Sequence, residues 1–348
     1  MFENIFKAVA KATKDDKLVS VHKAGDITIS SHIPFGIRTG VPSLDYHINR
    51  PGWPAGRCVE LFGFEHCGKT TLGLHAIAEC QRMGGGAYFI DTEKSWDERR
   101  AEQIGVNTDT NLGIGDADSI ESAFRLIRSI VDSRLEWNDG KPFVILVDSV
   151  TGTATEFMKT HTIGKEERVG QDARAIRGGM RRITADIAKA NVTLIMINHA
   201  ISTIPQFRFA KQSEAAGGHA IKLFSTVRVN LASTGWITEG TDKAKKRTGQ
   251  KIMMKVEKLK NSSMSDPQIN DIPLLNSIGF DTESDLLQAG IAAGWVGHKE
   301  SSKEYRLGDE VFPKVDWPAI VQQLGGLNVA YDLFLDWCKT HGTMQDWA

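Results

Sequence analysis

The sequence predicts an α/β protein with a mainly parallel sheet sandwiched by helices, and three observations carry that prediction. From Arg57 to Asn198 apolar strand-like runs alternate with helical stretches, the mark of a parallel sheet whose crossovers cover both faces. The first run leads directly into Gly63-Phe64-Glu65-His66-Cys67-Gly68-Lys69-Thr70, a phosphate-binding loop set between a strand and a helix. The chain of 348 residues also exceeds the roughly 250 to 300 at which a single core stops growing, so a smaller second domain is expected.

Taken in order, the chain starts with Phe2, Ile5, Phe6 and Val9 at helical spacing. They read as a short amphipathic helix within an N-terminal segment, residues 1–35, packed on its own domain or docked on a neighbouring subunit. Glu3 and the early lysines interrupt any signal-peptide core. Strands are expected at Cys58 to Phe62, Ala87 to Asp91, Phe143 to Asp148 and Thr193 to Asn198, with helices at Lys69 to Met83, Ser119 to Leu135 and Asp172 to Ala190. Val-, Ile- and Met-rich runs at Thr226 to Leu231 and Lys251 to Leu259 extend the sheet. Two stretches break the alternation, 158–170 and 200–217, and loops of that length inside a compact domain are functional or disordered. A boundary near 272 divides the core, 36–271, from a small α+β domain, 272–348.

Composition narrows the function. With 41% hydrophobic and 24% charged residues, the chain is an ordinary globular one, and no apolar run approaches the roughly 20 residues of a membrane span. Cys58, Cys67, Cys80 and Cys338 form no CxxC pair, which fits a reducing cytoplasm without disulfides or zinc. A formal net charge of -1 argues against coating nucleic acid by bulk charge, so any such site must be local.

In the loop the glycines let backbone N–H groups curl around phosphates, Lys69 reaches the terminal phosphates, and the Thr70 hydroxyl ligates Mg²⁺. The apolar run Val144-Ile145-Leu146-Val147 ends in Asp148, a second ligand for Mg²⁺. Glu93 follows another strand end, where ligands of open α/β sheets bind. It is expected either to orient and deprotonate the attacking water or to serve as a helix N-cap partner.

These residues, together with Phe89-Ile90-Asp91-Thr92-Glu93, Leu146-Val147-Asp148-Ser149-Val150 and Met196-Ile197-Asn198-His199, resemble the ATPase core of the RecA family. The resemblance runs from about Ile37 to Phe312. It includes Thr39-Gly40-Val41-Pro42-Ser43-Leu44-Asp45 before the loop, Gly217-Gly218-His219-Ala220-Ile221-Lys222 and Lys258-Leu259-Lys260-Asn261 after it, and Asp281 to Val296 as the start of the small domain.

The resemblance implies ATP and Mg²⁺ as cofactors, with Thr71, Asp97 and Arg100 added to the nucleotide site. Lys258 and Lys260 would reach the phosphates of a neighbouring subunit. His199 stands where bacterial members have Gln, as in phage recombinases of the UvsX kind, and is expected to couple nucleotide to DNA. Arg100 replaces the usual aromatic at the base-stacking position.

The two irregular stretches become DNA-binding loops. Phe207, Arg208, Phe209 and Lys211 interleave aromatics with charge as a single-strand binder does, although a self-packed surface loop explains them too. Arg174, Arg177, Arg181 and Arg182 share one helix face, which is read as facing DNA or simply solvent. Val169, Ile204, Gly217 and Gly218 join Arg174 and Arg181 in the implied DNA site.

The expected function is filament formation on single-stranded DNA with pairing to a homologous duplex, assisted by a single-strand-binding protein or loader. A recombination mediator without strand exchange and a helicase-type motor are the competing readings.

Overall fold

The computed structural model describes residues 11, 33–160, 170–202, 213–216, 219–240, 245–260, 268–299 and 302–346. The expected N-terminal helix, Phe2 to Val9, lies outside the described residues.

The strands are β1 Gly36–Ile37, β2 Trp53–Pro54, β3 Cys58–Gly63, β4 Gly86–Asp91, β5 Leu112–Asp116, β6 Phe143–Asp148, β7 Val192–Ser202, β8 Ser213–Ala215, β9 Val227–Glu239, β10 Lys246–Leu259, β11 Gln268–Leu275, β12 Gly279–Phe280, β13 Gly297–His298, β14 Glu304–Leu307 and β15 Glu310–Pro313. The helices are α1 Pro42–Ile48, α2 Lys69–Arg82, α3 Glu98–Ile104, α4 Ile120–Glu136, α5 Glu156–Thr160, α6 Gln171–Lys189, α7 His219–Phe224, α8 Thr282–Ala293, α9 Trp317–Gln323 and α10 Leu327–Thr340.

The large sheet runs β12-β11-β10-β9-β3-β7-β6-β4-β5, with β8 paired to β7. It is parallel from β9 through β5 and antiparallel toward β12. Strand pleating explains why its central strands read as unbroken apolar runs. In β6, Val144 and Leu146 join the core under α2, while Ile145 and Val147 join the core under α4 and α6. Alternate residues point to opposite faces and both faces are covered, so every position is apolar.

Helix α4 opens on a capping box between Ser119 and Ser122, and α6 buries Ile176, Met180, Ile183 and Ile187. Among the described residues no helix is long and apolar enough to cross a membrane.

Several elements differ from their sequence expectations. Strand β5 was not anticipated because its two glycines give it little strand character; a Cβ at Gly113 would meet the Tyr88 ring at 2.3 Å, so glycine lets that ring pack there. Strands β9 and β10 continue beyond the expected runs because their outer halves pair with each other, where an exposed hairpin needs no apolar alternation. Strand β11 spans position 272 and pairs with β10, and β12 follows it, so the large sheet continues past the expected division.

The C-terminal portion packs α8, α9, α10 and the antiparallel β13-β14-β15 sheet around Leu286, Phe312, Trp317, Phe334 and Leu335. Polar bonds join it to the main core. Ser43 N and Oγ donate to Asp285 at 2.8 and 2.7 Å, and Tyr331 donates its hydroxyl to buried Asp45. Arg38 reaches Glu79 at 2.7 Å and Asp332 at 2.9 Å.

Candidate functional site: a nucleotide-binding edge

The loop after β3 is built for close approach. Gly68 sits at φ +88 as the residue before α2, and a Cβ there would be 2.9 Å from Leu274 Cδ2. Gly63 leaves room for the neighbouring strand, since its Cβ would be 2.2 Å from the Leu231 carbonyl oxygen. Glycine is required at the first for its conformation and at the second for its size. Lys69 is buried, and its ammonium donates to Phe64 O at 2.7 Å, inside the bend of the loop. Cys67 is likewise buried, with Sγ 2.9 Å from the same carbonyl. Glu65 and Phe64 line an open pocket of about 370 Å³ with His199 and Ala200.

Thr70 Oγ1 donates to Asp148 Oδ2 at 2.6 Å, joining the first turn of α2 to the end of β6. Burial, and the carboxylates of Glu93 and Asp91, push Asp148 up to about 6 against the opposing Thr70 hydrogen bond and Lys69 charge. Two adjacent hard oxygen donors fit a Mg²⁺ ion that keeps most of its water shell. Among the described residues no larger cluster of His, Cys, Asp or Glu forms an all-protein metal cage. Lys69 beside this pair suits the terminal phosphates of a nucleotide.

Glu93 lies on the same edge. Asp91 arranges its turn by accepting from the backbone N–H groups of Glu93, Ser95 and Trp96 at 3.1, 3.2 and 2.9 Å. The N-cap of α3 is Asp97, which accepts from Arg100 N at 3.0 Å, so the N-cap alternative for Glu93 falls to Asp97. Ser149 Oγ donates to Glu93 Oε1 at 2.5 Å, and His199 Nε2 lies 2.8 Å from the same oxygen. Burial raises the Glu93 carboxyl, but the Ser149 and His199 hydrogen bonds, with the His199 and Lys69 charges, outweigh it and hold it below the usual range.

Behind this edge Asn198 donates to Glu60 Oε1 at 2.9 Å and to Ala216 O at 3.0 Å, and accepts from Thr151 Oγ1 at 2.9 Å. Glu60 in turn pairs with buried Arg228. In the sequence Ser149 and Asn198 stand inside quoted motifs without a role of their own, and Glu60 and Arg228 in none; an acid-to-serine step after an apolar strand does not by itself say which side chain the serine meets.

The irregular stretches are shorter than expected. Ala200 to Ser202 belong to β7 and pair antiparallel with β8, so the second loop has a strand stem. Met158 to Thr160 belong to α5, and Gly170, at φ +84, precedes α6. Backbone pairing overrides loop-like composition at both places. Val169, Ile204, Phe207, Arg208, Phe209, Lys211, Gly217 and Gly218 lie outside the described residues. Arg174, Arg177, Arg181 and Arg182 are all exposed, opposite the buried stripe of α6.

Thr71 sits beside Gly279, whose added Cβ would be 3.1 Å from Thr71 Cγ2. Arg100 donates to the carbonyls of Asn276 at 2.7 Å and Leu275 at 3.4 Å, which ties its guanidinium to the end of β11.

Lys258 and Lys260 donate to carbonyls at the end of α7: Lys258 to Lys222 O and Leu223 O, and Lys260 to Leu223 O at 3.4 Å. Burial, with Lys260 and Arg228 nearby, brings Lys258 down to about 8. Because β10 pairs Lys258 with Arg228 and β9 pairs Arg228 with Glu60 in parallel, Lys258 is level with the middle of β3, and Lys260, bonded to Thr226, is level with its start at Cys58. The phosphate-binding loop lies at its other end.

Fold and site together define a P-loop nucleotide-binding protein with a large, mainly parallel sheet covered on both faces. The sequence matches the RecA N-terminal domain over residues 3–277. It is 32% identical over 300 residues to Protein RecA of Allochromatium vinosum, covering 85% of this chain and 82% of that one. To Protein RecA of Legionella pneumophila (strain Corby) it is 31% identical over 288 residues, covering 81% and 78%, and to that of Syntrophus aciditrophicus 34% over 274, covering 79% and 75%. The chain belongs to the RecA family.

Proposed function

We propose that this chain is a DNA-dependent ATPase that assembles on single-stranded DNA as a filament and pairs it with a homologous duplex. The observation that carries the reading is the convergence of Lys69, the Thr70–Asp148 pair, Glu93 and His199 on one sheet edge, with His199 immediately before the stem formed by β7 and β8. Lys69 places a point charge against the terminal phosphates of ATP, while Thr70 and Asp148 hold Mg²⁺. Held by Thr70 and Asp148, Mg²⁺ would neutralise phosphate charge as it develops. Glu93 orients the attacking water and accepts its proton, releasing ADP and phosphate.

The arginine face of α6 and the second loop supply local positive charge for the DNA backbone, in a chain whose net charge of -1 offers no bulk attraction. Lys258 and Lys260, set back along the sheet from the chain's own phosphate loop, would reach a neighbouring subunit's ATP. Self-association, a single-strand-binding protein or loader, and a cytoplasmic setting complete the reading.

ATP hydrolysis measured with and without long single-stranded DNA, followed by joint-molecule formation with a homologous duplex, tests it. DNA-stimulated turnover with joint molecules is expected. Stimulation without joint molecules assigns the chain to recombination mediators, and hydrolysis that ignores DNA overturns the assignment.

A further inference from the structure

The Glu93 carboxylate occupies a small slot whose walls the catalytic reading does not by itself require. Oε1 takes both close partners, Ser149 Oγ at 2.5 Å and His199 Nε2 at 2.8 Å. Ser149 is fully buried, and Thr92 Oγ1 donates to its carbonyl at 2.7 Å, which fixes the backbone beneath the hydroxyl. The floor of the slot is Gly152. A methyl added there would stand 2.5 Å from Glu93 Oε1, 2.7 Å from Ser149 Oγ and 2.8 Å from Glu93 Cγ, all closer than carbon and oxygen tolerate. Gly152 is exposed and its φ is not in the left-handed region. Neither backbone strain nor core packing therefore calls for glycine there; the carboxylate does.

The third wall is joined to the loop stem. His199 O accepts from Ala216 N at 2.8 Å, Asn198 Nδ2 donates to Ala216 O at 3.0 Å, and Ala200 pairs with Ala215. A shift of the stem pulls first on the His199 backbone, whereas Ser149 follows directly on β6 and is pinned by Thr92, and Val150 and Thr151 bond Ile197 and Asn198, further back along β7 than the stem.

We propose that Ser149 and Gly152 are positioning residues that hold the Glu93 carboxylate in a DNA-free resting place, closed by His199 and opened when single-stranded DNA moves the β7–β8 stem. In this place both donors draw on one oxygen, so the base is restrained from turning to a water at the phosphates. Stem movement withdraws His199 and lets the carboxylate turn. The proposal rests on the functional reading above and adds to it a reason why hydrolysis waits for DNA.

Steady-state ATP hydrolysis by full-length wild type, Gly152→Ala and Ser149→Ala, each with and without single-stranded DNA, tests it. Gly152→Ala displaces the carboxylate from the slot and is expected to raise DNA-free kcat by about 5- to 150-fold, the usual span of a site-to-site coupling. KM for ATP and kcat on DNA should stay near wild type. A simple loss of structure would not raise one rate while sparing the others.

An unchanged DNA-free rate overturns the proposal. So does loss of hydrolysis on DNA, which makes the slot the working position. Should Gly152→Ala melt well below wild type, Ser149→Ala, which removes one donor without adding bulk, decides by the same outcomes. A wild type that ignores single-stranded DNA overturns the functional reading and this proposal together; a stimulated wild type with unaltered variants overturns this proposal alone.

Discussion

At the scale of single residues, the site depends on carboxylates whose surroundings set them apart. Glu93, held by Ser149 and His199, remains an ionised acceptor. Glu93→Gln keeps the shape and loses the basicity, so ATP turnover should fall by roughly 10²- to 10⁴-fold, while binding of a fluorescent ATP analogue is retained. Asp45 is a different case. Burial pushes it from 3.8 up to about 7, against the hydrogen bonds from Tyr331 and Thr39. The folded chain therefore holds this proton more tightly than the unfolded one. Its contribution is full below about pH 4 and is lost as pH rises toward 7, by roughly 4 kcal/mol. Asp45→Asn should lose that dependence, so its urea midpoint should gain on wild type between about pH 5 and pH 8.

At the scale of elements, α6 shows how one helix serves two surfaces. Its period places Ile176, Met180, Ile183 and Ile187 inward and the four arginines outward. If the outward face meets the DNA backbone, Arg174→Ala and Arg181→Ala should each weaken single-strand affinity and lower the salt slope by roughly one, with little change in melting temperature. A salt titration by fluorescence anisotropy measures both.

The strand-helix alternation was legible because buried parallel strands demand apolar side chains on both faces. The pairing of Ala200 to Ser202 with β8 was not, because strand pairing between separated segments leaves no local periodicity. Strand β5 was hidden for a related reason: its glycines answer to the Tyr88 ring on the neighbouring strand.

At the scale of the whole molecule, the sheet sets Lys258 and Lys260 apart from the phosphate loop along one strand. Along β3, Lys260 is level with Cys58 and Lys258 with Glu60, five and three residue steps from Gly63, or roughly 17 and 10 Å at strand rise. A single copy therefore leaves its own lysines far from its own phosphates. A chain carrying Lys258→Ala and Lys260→Ala, mixed with one carrying Lys69→Ala, should recover DNA-stimulated hydrolysis that neither shows alone. Mixing that restores nothing counts against the trans contact. The C-terminal module is held by buried pairs such as Ser43–Asp285 and Tyr331–Asp45, which join residues far apart in the chain.

By itself the sequence determined the α/β class, the phosphate loop, the acids at the strand ends and the family resemblance. Each of these is written in local spacing, because a loop that cradles phosphate and a strand buried on both faces constrain neighbouring residues. Only the tertiary structure decided that Ser149 and His199 share one oxygen of Glu93, that Gly152 makes room for it, and that Asn198 ties this edge to the loop stem. Those relations join residues tens of positions apart, and they exist only once β4, β6 and β7 lie side by side.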